Sequence, residues 1–427
     1  MRRRRVATNR TESLATRTSG PRIACYSHDT VGLGHIRRNI AVATSLINAW
    51  PHADALMLTG NPEATSLWLP PRTDVVTLPT VAKDRAGRYR SRTLNASLDS
   101  VVAIRSAVIE AAVTTFAPDL LIVDKVPLGV AEELAPTLRR LRAEVGTRIV
   151  LGLREILDDP VTAVAQWTAS GATAAIEEFY DAVWIYGDQQ VYDPVVEYGL
   201  PTAVADKAVF TGYLGTDRFV DPTAATKAGS SAPERPYVLC TVGGGQDGAA
   251  LARMFARTPL PGSHDGVVVC GPFMAAGDRA AVRAAAAANP AMQIHDFVPD
   301  LHRLIAGATA VVSMAGYNSV CEILSCSRPA LLVPRTRPRL EQLIRAQRLT
   351  ELGATDLMPL DSLAVADLAN WIDQAVGRGP VAERAQIDLD GLGRLPAVAA
   401  RLLPAVPRAE FATARSARQP GVDHHAA

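Results

Sequence analysis

Cysteine is scarce in this chain of 427 residues, with five in all and no two spaced as Cys-x-x-Cys. Cys25, Cys240, Cys270, Cys321 and Cys326 read as buried thiols in a reducing cytosol, rather than as a disulfide framework or a zinc site. There is no uninterrupted apolar run of about 18 residues, so no membrane-crossing helix is expected. The N-terminal stretch lacks an apolar core of signal-peptide length. Charge of one sign is not in excess: the net charge is +1, so composition gives no bulk attraction to nucleic acid. No short internal repeat is present.

What is there reads as globular, with 48% apolar and 20% charged residues, enough chain for two or three domains. Basic charge gathers at the start, where Arg2 to Arg5, Arg10, Arg17 and Arg22 face Glu12 alone. Residues 1–21 read as a disordered basic tail, which leaves peripheral contact with an anionic membrane face open. Residues 406–427, with His424-His425, read as a second disordered tail; stray metal could bind there.

Between the tails the pattern repeats an apolar strand followed by a helical stretch. Arg22–Tyr26, Ala55–Leu58, Leu120–Val123, Arg148–Leu151 and Ala182–Ile185 read as buried parallel strands. Helical stretches such as Ile36–Trp50 and Leu98–Phe116 separate them, which argues a doubly wound sheet over residues 22–220. A polar linker near 221–235 leads to a second α/β unit over 236–400. Its strands are read at Val238–Val242, Gly266–Cys270, Met292–His295, Ala310–Ser313 and Ala330–Val333.

The densest information lies at Ser313-Met314-Ala315-Gly316-Tyr317-Asn318-Ser319, Glu322, Arg328-Pro329-Ala330 to Pro334, and Glu341-Gln342. It reads as strand, glycine turn, helix, second strand and polar segment. Asn318 or Ser319 can cap the helix, and the turn presents backbone N–H groups that suit a diphosphate. Glu322, on or just past the first turn, could take two ribose hydroxyls, while Glu341 and Gln342 could grip sugar hydroxyls.

That order of residues resembles the C-terminal donor half of GT-B glycosyltransferases, and among them the family 28, peptidoglycan N-acetylglucosaminyltransferase type. The resemblance implies two Rossmann-like domains facing across a cleft. It implies a nucleotide-sugar donor, UDP-linked, whose sugar passes with inversion to the hydroxyl of a small-molecule or lipid-linked acceptor. It assigns Glu322 to the ribose and the pair Glu341 and Gln342 to the donor sugar, where the family carries two glutamines. Gly243-Gly244-Gly245-Gln246 resembles the family's Gly-Gly-Ser-Gln loop, and its backbone could hold an anion. Phe297 and Val298 resemble the segment that meets the nucleotide base; core packing is the rival reading of Phe297. Arg335, Arg337 and Arg339 could neutralise a diphosphate or read a charged substrate, with a solvated basic loop as the rival reading of the outer two.

The first strand ends in Ser27-His28-Asp29-Thr30-Val31-Gly32-Leu33-Gly34-His35. Gly32 and Gly34 permit a tight turn toward phosphates or acceptor. The third glycine of a dinucleotide fingerprint is missing, because Arg37 stands in its place. A transfer to a hydroxyl needs a base, and His28, Asp29 and His35 are the candidates, with His35 matching the family best. Asp29 could instead orient a histidine, and His35 could merely cap. Asp124-Lys125 and Arg154-Glu155 also follow strand ends, with surface salt bridges as their plain reading. The one Asp-x-Asp, at Asp388-Leu389-Asp390, reads as surface, so neither a metal nor any other cofactor is expected. A non-hydrolysing UDP-sugar 2-epimerase and a non-catalytic nucleotide-sugar-binding protein are the rival functions.

Overall fold

The computed structural model describes residues 20–28, 33–83, 88–144, 146–215, 232–298, 300–379 and 381–403. Asp29 and Gly32 of the first glycine loop, nearly all of residues 1–21, the tail from 406 and most of the linker lie outside them. Among the described residues two wholly parallel sheets form, each fed by apolar strands that helices separate.

The N-terminal sheet holds β1 (Arg22–Ser27), β2 (Asp54–Thr59), β3 (Thr73–Thr77), β6 (Leu120–Asp124), β7 (Arg148–Arg154), β8 (Ala182–Tyr186) and β9 (Ala208–Phe210). Their order is β3-β2-β1-β6-β7-β8-β9, with the small hairpin β4 (Val81–Lys83) and β5 (Tyr89–Ser91) beside it. β6 and β8 are buried along their whole length, the expected state of a parallel strand covered on both faces. Register places Ser27 beside Thr59 and Arg154 beside Tyr186, so the strands end together at one edge. The sequence pattern does not show β3 or β9, because neither has a fully buried residue to mark it.

The C-terminal sheet has the order β12-β11-β10-β13-β14-β15. It is built from β10 (Tyr237–Thr241), β11 (Asp265–Val269), β12 (Met292–His295), β13 (Ala310–Ser313), β14 (Ala330–Leu332) and β15 (Asp356–Leu357). In both sheets the order reverses next to the first strand, at β1/β6 and β10/β13, where open α/β sheets form their ligand crevice.

The helix Gly34–Ala49 turns Ile36, Ile40, Ala43 and Ile47 inward at helical spacing. Part of its cover comes from the far end of the chain, where the helix Gly391–Leu402 packs on it. Ser45 Oγ donates to the Leu392 carbonyl at 2.5 Å. The Asp388-Leu389-Asp390 segment that leads into this last helix runs against Tyr213–Gly215. Tyr213 N donates to the Asp388 carbonyl at 2.8 Å, and Arg394 engages the Asp388 carboxylate. One apolar cluster therefore continues from Ile36 and Leu46 through Leu392 and Leu395 to Tyr213, Tyr317 and Val320. All five cysteines are buried and free.

Candidate active site

The donor-side motif folds as a tight cradle. Val242 leaves β10 into Gly243–Gly245, and Gly245 adopts φ +89°, a conformation glycine reaches without strain. A Cβ on Gly245 would drive into the Cys270 carbonyl, and one on Gly271 into the Gly243 carbonyl. The loop thus lies backbone to backbone on the turn after β11, with Phe273 N donating to the Gly244 carbonyl at 2.9 Å.

Facing this loop is the helix Tyr317–Leu324. Its cap is Gly316, and no side chain caps it, which corrects the expectation for Asn318 or Ser319. Asn318 reaches instead to the other sheet's loop, where its Nδ2 donates to the Gly34 carbonyl at 3.0 Å. The polar segment at Glu341-Gln342 is the start of the helix Glu341–Glu351. Gln342 Oε1 accepts from Arg335 N at 3.2 Å.

A cavity of about 150 Å³ opens where these pieces meet, lined by Gly243, Gly244, Gly245, Gln246, Gly316, Ser319, Arg335 and Gln342. The expected donor residues come together there in part. Glu322, in the second turn of its helix, is 8% exposed and does not line that cavity. Ser313 is fully buried, and its hydroxyl donates to the Thr241 and Met314 carbonyls. Val298 is buried, whereas Phe297 is 45% exposed, so core packing does not explain Phe297. Arg335 is engaged by Glu341 at 2.7 Å and Asp247 at 3.3 Å. Burial raises the Glu341 carboxyl, but Arg154, Arg335, Arg345 and Arg339 more than offset it and hold it below its ordinary value. Arg339 is half-buried rather than freely solvated. It lies beside Asp158 of the N-terminal half at 4.0 Å and donates to Gln166 Oε1 at 3.4 Å.

The acceptor-side loop places His35 in the first turn of its helix without capping it; the helix start has no side-chain cap. Nδ1 of His35 meets Oδ2 of Asp124, at the end of β6, and Arg38, one turn on, engages Oδ1 of the same carboxylate. Asp124 and Glu155 are both fully buried, which corrects the surface salt-bridge reading of each. Among the described residues the carboxylate that meets His35 is Asp124; Asp29, the candidate named for that place, lies outside them. Nε2 of His35 makes no hydrogen bond among the described residues, and 22% of the side chain stays exposed. Burial lowers the His35 pKa, Asp124 pulls it back, and Arg38 and Lys125 push it down again, leaving it at about 4. Burial raises Asp124, but Arg38 and His35 override that and hold it well below the usual carboxylate range.

His28 is 5% exposed, with Nε2 3.0 Å from the Tyr89 hydroxyl and its ring 6.1 Å from that of His35. It borders a second cavity of about 320 Å³ with Tyr89, Lys125, Leu157, Trp167 and Arg339. The wall of that cavity is strained. Lys125, Ala131 and Glu132 all take positive φ, at 70°, 46° and 62°, where side chains crowd the backbone. Beneath it a buried arginine, Arg105, pairs with Glu133 at 2.5 Å, and Glu133 also accepts from the Tyr26 hydroxyl. Such strain is held only by rigid surroundings, and it clusters at ligand sites.

Tyr89 and Trp167 line the second cavity, and the buried Arg38, Tyr317 and Arg345 stand beside Asp124 and Ala315; the sequence singled out none of these five as candidates. Arg38 had a signal, since it stands three residues after His35 on the same helix face. Tyr89, on the short hairpin, had none.

The two-sheet architecture is found in solved glycosyltransferases. It matches VinC in complex with dTDP at 16% identity, covering 90% of this chain and 99% of that one, with a TM-score of 0.59. MurG of Acinetobacter baumannii matches at 15% identity over 88% and 98% of the chains, TM-score 0.54. A UDP-N-acetylglucosamine 2-epimerase assigned in Listeria monocytogenes shares the fold at 11% identity over 91% and 98%, TM-score 0.58. Fold and cradle together define the class, a GT-B glycosyltransferase fold. Within it, residues 268–386 match the glycosyltransferase family 28 C-terminal domain. A 92-residue stretch is 28% identical to the UDP-N-acetylglucosamine–N-acetylmuramyl-(pentapeptide) pyrophosphoryl-undecaprenol N-acetylglucosamine transferase of Rubrobacter xylanophilus. That stretch spans 21% of this chain and 27% of the relative's length. The chain is thus similar to the glycosyltransferase family 28 C-terminal domain over residues 268–386, and shares the GT-B fold over about nine-tenths of its length.

Proposed function

We propose that the protein transfers a sugar from a nucleoside-diphosphate donor, UDP-linked, to an acceptor hydroxyl, with inversion and without a metal ion. The observation that carries this is the His35–Asp124 pair at the edge of the N-terminal sheet, tied by the Gly34–Asn318 contact to the turn that opens the donor cavity. The acceptor enters beside His28, Tyr89 and Trp167, and its hydroxyl gives its proton to Nε2 of His35. The oxygen attacks the anomeric carbon as the bond to the diphosphate breaks. Backbone N–H groups of the 243–247 loop and of the helix beginning at Tyr317 receive the departing charge. Glu322 holds the ribose, and Glu341 with Gln342 holds the sugar.

The test is incubation with a panel of nucleotide sugars and candidate acceptors, with and without EDTA, following free diphosphate and the anomeric configuration of the product. Transfer with inversion that survives EDTA supports the proposal. Loss of turnover in EDTA restored by magnesium or manganese overturns its metal-free part. An altered nucleotide sugar formed without acceptor identifies an epimerase, and binding with no turnover a sensor.

A further inference from the structure

Nδ1 of His35 faces two groups that ask opposite things of it. Asp124 Oδ2 needs a proton on that nitrogen, whereas Arg38 Nη2, 3.0 Å away, is a permanent donor and needs a lone pair. One nitrogen cannot serve both. The conflict resolves through the other carboxylate oxygen. Arg38 has a charged acceptor in Asp124 Oδ1, which Nη2 engages and Nε meets at 3.2 Å. With Arg38 spent on Oδ1, Oδ2 is turned to Nδ1, the proton sits there, and the lone pair is left on Nε2.

Arg38 has little freedom to do otherwise. It is 2% exposed, and its guanidinium lies 5.7 Å from the centre of the Tyr317 ring. Tyr317 is the first residue of the helix that opens on the donor cavity. The donor half thus holds the arginine, the arginine holds the carboxylate, and the carboxylate holds the imidazole.

We propose that Arg38 is a positioning residue, which takes one oxygen of Asp124 and leaves the other on His35, so that the imidazole is kept in place as a neutral base. This rests on the reading of His35 as the base. Among the described residues the charged groups facing His35 are Asp124 and Lys125 from the end of β6 and Arg38 from its own helix, with the His28 ring opposite. Tyr186, Cys25, Tyr317 and the Arg154 guanidinium face the Arg38–Asp124 pair. Arg38 offsets the charge of Asp124, which would otherwise favour imidazolium.

The experiment is an NMR titration of histidine-labelled protein, with His35 assigned by His35→Gln. No substrate is needed, so its outcome is separable from that of the transfer assay. Arg38→Gln is expected to raise the His35 titration point by about 1 unit or more, the usual effect of losing a neighbouring cation. Arg38→Lys keeps a cation and should stay near the parent value. The acid limb of kcat should move upward with the same variant. A folded Arg38→Gln protein in which His35 titrates as in the parent overturns the proposal. Tyr317→Leu is a control that leaves the Arg38–Asp124 pair in place and should titrate near the parent. If Arg38→Gln does not fold, a second substitution at the same position carries the test. Arg38→Met removes the cation at similar volume, and the same upward direction is required; an unmoved titration refutes the positioning role.

Discussion

Arg345 and Glu155 meet in a two-pronged pair between the two sheets' segments, Nε to Oε1 at 2.5 Å and Nη2 to Oε2 at 3.2 Å, with neither side chain exposed. Tyr213 donates its hydroxyl to Oε1 at 3.0 Å, and Arg345 Nη1 donates to the Ala315 carbonyl at 2.9 Å. Arg345 also lies 5.7 Å from the Tyr317 ring, on which Tyr213 stacks. The pair therefore fixes the glycine turn of the donor cradle to the N-terminal half.

Removing one partner strands the other without water. Glu155→Leu alone should cost about 3–5 kcal/mol, whereas Glu155→Leu with Arg345→Met should recover most of it. Urea unfolding of the three proteins measures this. A single variant within about 1 kcal/mol of the parent would show that the pair is not buried in solution.

The glycines of the donor loop should not be equivalent. At Gly243 φ is +63° and a Cβ would find only Ser319 Oγ, 3.8 Å away. At Gly245 the same atom meets the Cys270 carbonyl as well as an unfavourable φ. Gly243→Ala should bear only the backbone penalty, about 1 kcal/mol. Gly245→Ala should displace the loop and weaken nucleotide binding far more. Calorimetry with UDP on both proteins tests the order, and equal affinities would contradict it.

His35→Ala should lower kcat by about 10²–10⁴-fold with little change in nucleotide affinity. Because His35 titrates at about 4, below its ordinary 6.5, the acid limb of kcat should lie near pH 4. The stability sign follows. The folded protein binds fewer protons than the unfolded chain between these values, so this contribution is full above pH 6.5 and is lost as pH falls toward 4. Urea midpoints across that range, for parent and His35→Ala, should converge at the acid end. His28→Ala and Asp29→Ala are the controls; loss of turnover in either with His35→Ala intact reassigns the base.

Glu322→Ala should weaken nucleotide binding by about 1–3 kcal/mol, the cost of losing hydrogen bonds to a charged group. Its buried position makes the folded state of the variant the first control. Unchanged UDP affinity in a folded protein removes Glu322 from the ribose role.

The sequence shows the two sheets because their central strands are apolar end to end, as in Leu120–Val123 and Ala310–Val312. It shows the donor loop because glycines between a strand and a helix have few other uses. The His35–Asp124 pair was within reach only as two separate strand-end candidates. Their meeting depends on β1 and β6 being neighbours, which 89 positions of chain do not announce. The half-exposed β3 and β9, and the crossing of the last helix, carry no periodic signal of their partners.

That last helix bears on how the chain assembles. A ribosome delivers the N-terminal sheet long before residues 391–402 emerge, so Ile40, Ile47 and their neighbours must wait without part of their final cover. The first half then has its full strand order but lacks part of its cover until residues 391–402 emerge. Truncation before Gly391 should yield not a smaller stable protein but one prone to self-association through its first helix. Each half has its own parallel sheet, and the last described helix of the second covers the first helix of the first.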